Sequence, residues 1–168
     1  MGRKAPKPRP ELRFSGAPTF DRGALGRGLV RAARAEVTIG GSAVLAVDPD
    51  QDVLADETLK RVAVYRRGPV VRTTGLADLA ALVSSLPVNE ITDLLCMCTG
   101  DLVIEFFDSE GTLIEVVRVD LPGSIECHRW PGRAKLAEPE RLAAWLRAHD
   151  LPADREDLRA RLAAAVAE

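Results

Sequence analysis

Residues 102–119 read LVIEFFDSEGTLIEVVRV: two apolar runs, Leu102–Phe107 and Thr112–Val119, joined by Asp108-Ser109-Glu110-Gly111. Both runs are rich in the β-branched and aromatic residues that suit a pleated surface. The joint ends in a glycine free to take positive φ, so the stretch predicts an antiparallel hairpin. Working outward, Leu94–Thr99 is a further short apolar run ahead of Gly100-Asp101, and Pro122-Gly123 turns the chain into Ser124–Trp130. Four consecutive strands joined by tight turns make a meander.

On the N-terminal side, Thr74 is placed to cap a helix whose apolar residues Leu76, Leu79, Ala80, Val83 and Leu86 recur at helical spacing, and Pro87 ends it. Arg61–Arg67 alternates as a half-buried strand and is closed by Gly68-Pro69. Glu36–Val47 reads as extended, with Gly40-Gly41 marking a turn or bulge inside it. Asp21–Ala35 is a weak helix, since Gly23, Gly26 and Gly28 each cost about 1 kcal/mol relative to alanine. On the C-terminal side, Pro139 opens a helix carrying Leu142, Trp145, Leu146 and His149, and Asp154 caps another with Leu158, Leu162 and Val166. The whole predicts an α+β fold: a mostly antiparallel sheet, a meander at its heart, with helices packed on one face.

The 168 residues suffice for one core, since domains commonly hold about 100 to 150 residues. Aromatic residues make up only 4%, so the core must be aliphatic. The predicted domain spans 21–168 and is best defined over 60–150. The prevalence of Ala, Arg, Asp, Gly and Leu over Lys points to a high-GC bacterium. No apolar h-region follows the basic start and no run approaches the roughly 20 apolar residues that span a bilayer, so a cytoplasmic protein without a membrane partner is expected. Three cysteines, two of them in a Cys-x-Cys pair, also argue against an oxidised framework.

Charge is unevenly spread. Residues 1–34 hold nine basic side chains against Glu11 and Asp21, a net +7, which leaves −9 for the rest of a chain whose total is −2. Pro6, Pro8 and Pro10 alternate with basic residues, forbidding helix, so residues 1–20 are expected to form a disordered, basic, Pro-rich arm. Arg3, Lys4, Lys7, Arg9 and Arg13 could neutralise phosphates, which makes nucleic acid one partner to weigh. An acidic protein partner, or plain solvation, fits the same charges.

All three cysteines and one of the two histidines fall around the meander: Cys96, Cys98, Cys127 and His128. They supply the ligand types and number of a tetrahedral zinc site. Cys96 and Cys98 would share a strand face, whereas neighbours Cys127 and His128 would project to opposite faces unless a bulge re-aims one. Packing of the cysteines as small buried hydrophobes is the plainer reading, so no cofactor is expected, with zinc the alternative. Catalysis has little positive support, because the chain lacks a nucleophile elbow, a phosphate loop and a His-Glu-x-x-His pair. Asp48, Asp50 and Asp52 imitate the start of a calcium loop, but Val53 and Leu59 stand where its glycine and bidentate glutamate belong. Glu105, Asp108, Glu110 and Glu115 read as the wet face of the hairpin.

The run Leu95-Cys96-Met97-Cys98-Thr99-Gly100-Asp101, the hairpin after it, Arg129-Trp130 and the closing Leu142/Trp145-Leu146 helix resemble a group of small uncharacterised actinobacterial proteins that share a Cys-Met-Cys-x-Gly-Asp hairpin, an Arg-Trp strand and a Trp-Leu helix. The resemblance covers about residues 60–150 and implies domain boundaries rather than an activity. Where that group has a His pair ahead of the Arg-Trp strand, this chain has Asp120-Leu121, so no metal site built on those histidines carries over. Taken together, the expected function is a non-catalytic protein-interaction module, an inhibitor or immunity-type protein being one concrete form. A zinc- or thiol-dependent protein and a nucleic-acid-associated protein are the alternatives.

Overall fold

The computed structural model describes residues 11–14, 17–46, 60–94 and 100–166. Its strands are β1 (Glu11–Phe14), β2 (Arg34–Ala46), β3 (Lys60–Arg72), β4 (Val88–Ile91), β5 (Leu102–Phe107), β6 (Leu113–Asp120), β7 (Ser124–Glu126) and β8 (Ala134–Leu136). The helices are α1 (Ala24–Gly28), continued by a 3-10 turn over Leu29–Arg31, then α2 (Leu76–Ser84), α3 (Pro139–Ala148) and α4 (Arg155–Val166). Among the described residues these strands form one antiparallel sheet in the order β1-β3-β2-β5-β6-β7-β8-β4. The fold is α+β, with the helices on one face of the sheet.

That face is the main core. Val37, Leu102, Ile104, Phe106, Val117, Val119 and Ile125 from the sheet pack with Leu79, Leu82 and Leu86 of the α2 segment, Leu142, Trp145 and Leu146 of α3, and Leu158 of α4. A smaller core lies on the other face, where Leu12, Val64, Val103 and Val116 cluster with Phe14 and Leu113 beside them. The sheet curls far enough for β1 to contact β6, four places away in the hydrogen-bonding order. Every residue of β5 is buried as a result, and the strict in/out alternation of an open sheet is lost there.

The hairpin expected at 102–119 is present, with Phe106 opposite Glu115 and Ile104 opposite Val117. Several boundaries move. Residues 11–14, expected within a disordered arm, pair with β3, and Leu12 is 8% exposed. Alternation of Leu12 and Phe14 about exposed Arg13 gives even this short segment an apolar side to bury. Strand β3 continues through Gly68-Pro69, because Pro69 falls in a bulge between the paired residues Arg66 and Val70, where its missing N–H is tolerated. Gly40 sits on the opposite side of that bulge with φ 142°, a conformation side-chain-bearing residues rarely adopt.

The weak helix expected over 21–35 shrinks to α1 and one 3-10 turn. Thr74 does not cap α2: its own backbone N–H donates to Asp78 Oδ2 at 3.1 Å, and Gly75 occupies the N-cap. The buried side of α2 is Leu79 and Leu82, with Leu86 buried just beyond the helix, which leaves Leu76 79% exposed. Of the strand expected at Leu94–Thr99, Leu94 lies outside any strand and 95–99 lie outside the described residues. Strand β7 stops at Glu126, short of the expected Trp130, and the short strands β4 and β8 extend the sheet beyond it. At the last helix, Asp154 Oδ1 accepts the N–H groups of Glu156 and Asp157, the expected cap. No helix among the described residues is long and apolar enough to cross a membrane.

Candidate functional site

The chain leaves β7 at Glu126 and turns through Cys127–Trp130, where Trp130 N–H closes onto the Cys127 carbonyl at 3.4 Å. Alternation sends the two neighbouring side chains apart. Cys127 packs against the helix-side core. The His128 ring lies on Phe14, of the smaller core, with centroids 4.0 Å apart. Burial pushes the Cys127 thiol up to about 12, and the nearby Glu115 charge adds to the shift. It therefore stays protonated at neutral pH and is a poor nucleophile. Cys96 and Cys98 lie outside the described residues. Among the described residues no group of three or more His, Cys, Asp or Glu side chains is placed to hold a metal ion.

Glu115 is the hub of the polar cluster beside this turn. The register of the hairpin slips between Phe106 and Phe107, with Ile114 as the extra residue, and Glu115, opposite Phe106, is fully buried. Its Oε1 accepts the Val116 N–H at 3.2 Å and lies 2.9 Å from His128 Nδ1, while Oε2 accepts Arg129 Nε–H at 2.5 Å. Glu105 is fully buried too. The reading of both glutamates as the wet face of the hairpin is thus corrected: the curl of the sheet encloses what an open hairpin would leave in water. Arg129 in turn depends on Gly28, since a Cβ there would sit 2.5 Å from Nη2, so the guanidinium lies directly over the glycine.

A cavity of about 280 Å³ opens against this cluster, lined by Phe14, Thr19, Ala24, Arg27, His128 and Arg129 among others. Its rim carries the exposed Arg27–Asp21 pair. The hydrogen bond from Arg27, followed by the Gly23 N–H, holds the Asp21 carboxyl below the usual carboxylate range. Two bonds stitch the rim to the turn after β7: Thr19 N–H donates to the Arg129 carbonyl at 2.9 Å, and the Trp130 indole N–H to the Asp21 carbonyl at 2.9 Å.

A second ionic network, one strand along, joins Arg118 to Glu126 and sets Arg133 Nη2 3.2 Å from Asp120 Oδ2. Burial lowers the Arg118 pKa, against the pull of Asp120. The adjoining cavity of about 380 Å³ has Lys135 and Arg155 in its wall, already paired with Glu90 at 2.8 Å and Asp101 at 3.4 Å. Its cations are thus committed within the protein.

A third concavity, of about 160 Å³, is apolar. Leu25 and Leu29 of the α1 segment face Val83, Leu86 and Pro87 at the end of α2 across it, and Arg22 stands at its edge with Nη1 donating to the Asn89 carbonyl at 3.3 Å. Gly26 leaves its wall open, for a Cβ there would meet nothing within 4 Å. On the same segment Phe20 is 63% and Val30 80% exposed, and Arg22, Arg27 and Arg31 are exposed as well.

Of the basic arm, Arg3, Lys4, Lys7 and Arg9 lie outside the described residues, as does the acidic stretch 48–58, and Arg13 is on the exposed side of β1. Sequence reasoning singled out His128 but missed Glu115, Arg129 and Gly28 as its companions. The one available signal was the placement of Arg129 beside His128 at the end of a strand. No family model matches the chain, and neither the curated proteins nor the solved structures searched contain a match to it.

Proposed function

We propose that this chain is a non-catalytic protein-interaction module that works in the cytoplasm and docks its partner in the apolar groove between α1 and the end of α2. The observation that carries the reading is the groove itself, walled by Leu25, Leu29 and Leu86 and open at Gly26, on a stretch of chain that also exposes Phe20 and Val30. Exposed large apolar side chains beside a concave apolar surface are the usual form of an anchor site. Arg22 at its edge, with Arg31 exposed further along the same segment, makes an acidic partner segment with one aliphatic anchor residue the fitting occupant. An inhibitor or immunity-type protein would use such a surface.

A photo-crosslinking residue at Val30, in the chain expressed in its own cells, should give a discrete adduct that disappears with Gly26→Arg and weakens at high salt. A Cβ at Gly26 meets nothing within 4 Å, so Gly26→Arg should enter the groove from an open position and leave the fold in place. The same crosslinker at Glu110, in the far hairpin turn, should give none. Failure to crosslink at Val30, or an adduct indifferent to Gly26→Arg, refutes this reading.

A further inference from the structure

We propose that the cavity between β1, α1 and the turn after β7 binds a small organic carboxylate, held by Arg129 and His128 against Phe14. Glu115 approaches both basic groups from one end only: it accepts a hydrogen bond from Arg129 Nε, and its Oε1 lies 2.9 Å from His128 Nδ1. Among the described residues nothing hydrogen-bonds their other ends, the two Nη groups and the imidazole Nε2, and both residues line the cavity. The His128 side chain is only 9% exposed, so the ring is held in place by its surroundings.

The guanidinium is already fixed, over Gly28 on one side and on Glu115 through Nε, so little side-chain freedom is left to lose on binding. Its free edge matches the two in-plane oxygens of a carboxylate. Charge favours the same class. Arg129 balances Glu115, and Arg27 balances Asp21 at the rim, so the wall presents no uncompensated carboxylate to repel an anion. Phe14, Ala17 and Ala24 supply apolar contact for its body. This face of α1 is not the one that walls the apolar groove, so the inference stands apart from the docking reading.

The test is titration of the full chain with benzoate, its neutral isostere benzamide and inorganic phosphate, followed by amide chemical shifts. Benzoate should shift Thr19, Ala24 and Arg129 saturably and bind at least tenfold more tightly than benzamide. Ala24→Phe, which fills the cavity from the first residue of α1, should weaken benzoate at least tenfold while the Val117 and Val119 amides keep their positions. His128→Gln should weaken it about tenfold as well. If benzamide binds as tightly, if phosphate saturates the site in place of benzoate, or if Ala24→Phe leaves benzoate binding intact, the proposal is wrong.

Discussion

Replacing Trp145 by alanine should cost about 3 to 5 kcal/mol, the range for truncating a large buried aromatic. The ring is 6% exposed, and its N–H donates to Asp78 Oδ1 at 2.9 Å, tying α3 to α2. It also stacks on His149 with centroids 3.8 Å apart, an arrangement worth about 0.5 to 1.5 kcal/mol within that total. Trp145→Phe separates the parts. It keeps most of the buried ring and loses the hydrogen bond, so it should cost about 1 to 2 kcal/mol, less than a fully enclosed charged acceptor would give, since Asp78 retains some contact with water. Urea unfolding followed by far-ultraviolet circular dichroism measures both, and Trp130 remains as a fluorescent reporter in each variant. For a slope near 2 kcal/mol/M the alanine midpoint should fall by about 2 M. A loss below about 1 kcal/mol for Trp145→Ala, or equal losses for the two variants, would show that the ring does not hold α2 and α3 together.

Leu12→Ala should cost about 2 to 3 kcal/mol in the same assay, because Leu12 belongs to the smaller core; a change within about 0.5 kcal/mol would mean that β1 contributes nothing to stability. The Cys127 thiol, held near 12 when folded against about 9 when unfolded, keeps its proton in the native state after the unfolded chain has lost it. Stability should therefore fall by about 1.4 kcal/mol per pH unit between those values, and Cys127→Ala should remove that component of the decline; identical pH profiles would contradict it. Native mass spectrometry of protein purified without chelator should show no stoichiometric zinc, whereas a defined added mass that acid releases would restore Cys96, Cys98, Cys127 and His128 as a metal set.

The parts of the fold that could be read beforehand are those where one local rule acts alone. Leu102–Phe107 and Leu113–Asp120 carry strand-forming residues to either side of a turn, Pro139 and Asp154 announce their helices, and the spacing of Leu142, Trp145 and Leu146 fixes the buried side of α3. Strands β4 and β8, at four and three residues, are too short to show a period: β8 exists by pairing with β7, and β4 by pairing with β8. Strand β1 was hidden by the proline-rich, charged sequence before it. The polar cluster was illegible for a different reason. Glu115 and His128 meet because the sheet curls and the chain turns back after β7, and neither event leaves a pattern in consecutive residues.

The order of strands also dictates how the chain must assemble. The β2–β3 hairpin can close from its own residues, yet the other edge of β2 waits for β5, since Arg34 pairs with Phe107. Until residues 102–107 leave the ribosome, the nascent hairpin presents Ala35 and Val37 beside an unpaired strand edge, the feature that invites aggregation in partly made sheets. Pairings this distant in sequence place refolding in the slow, millisecond-to-second range typical of β-rich domains, with the rate set by when β5 finds β2 rather than by the speed of any helix.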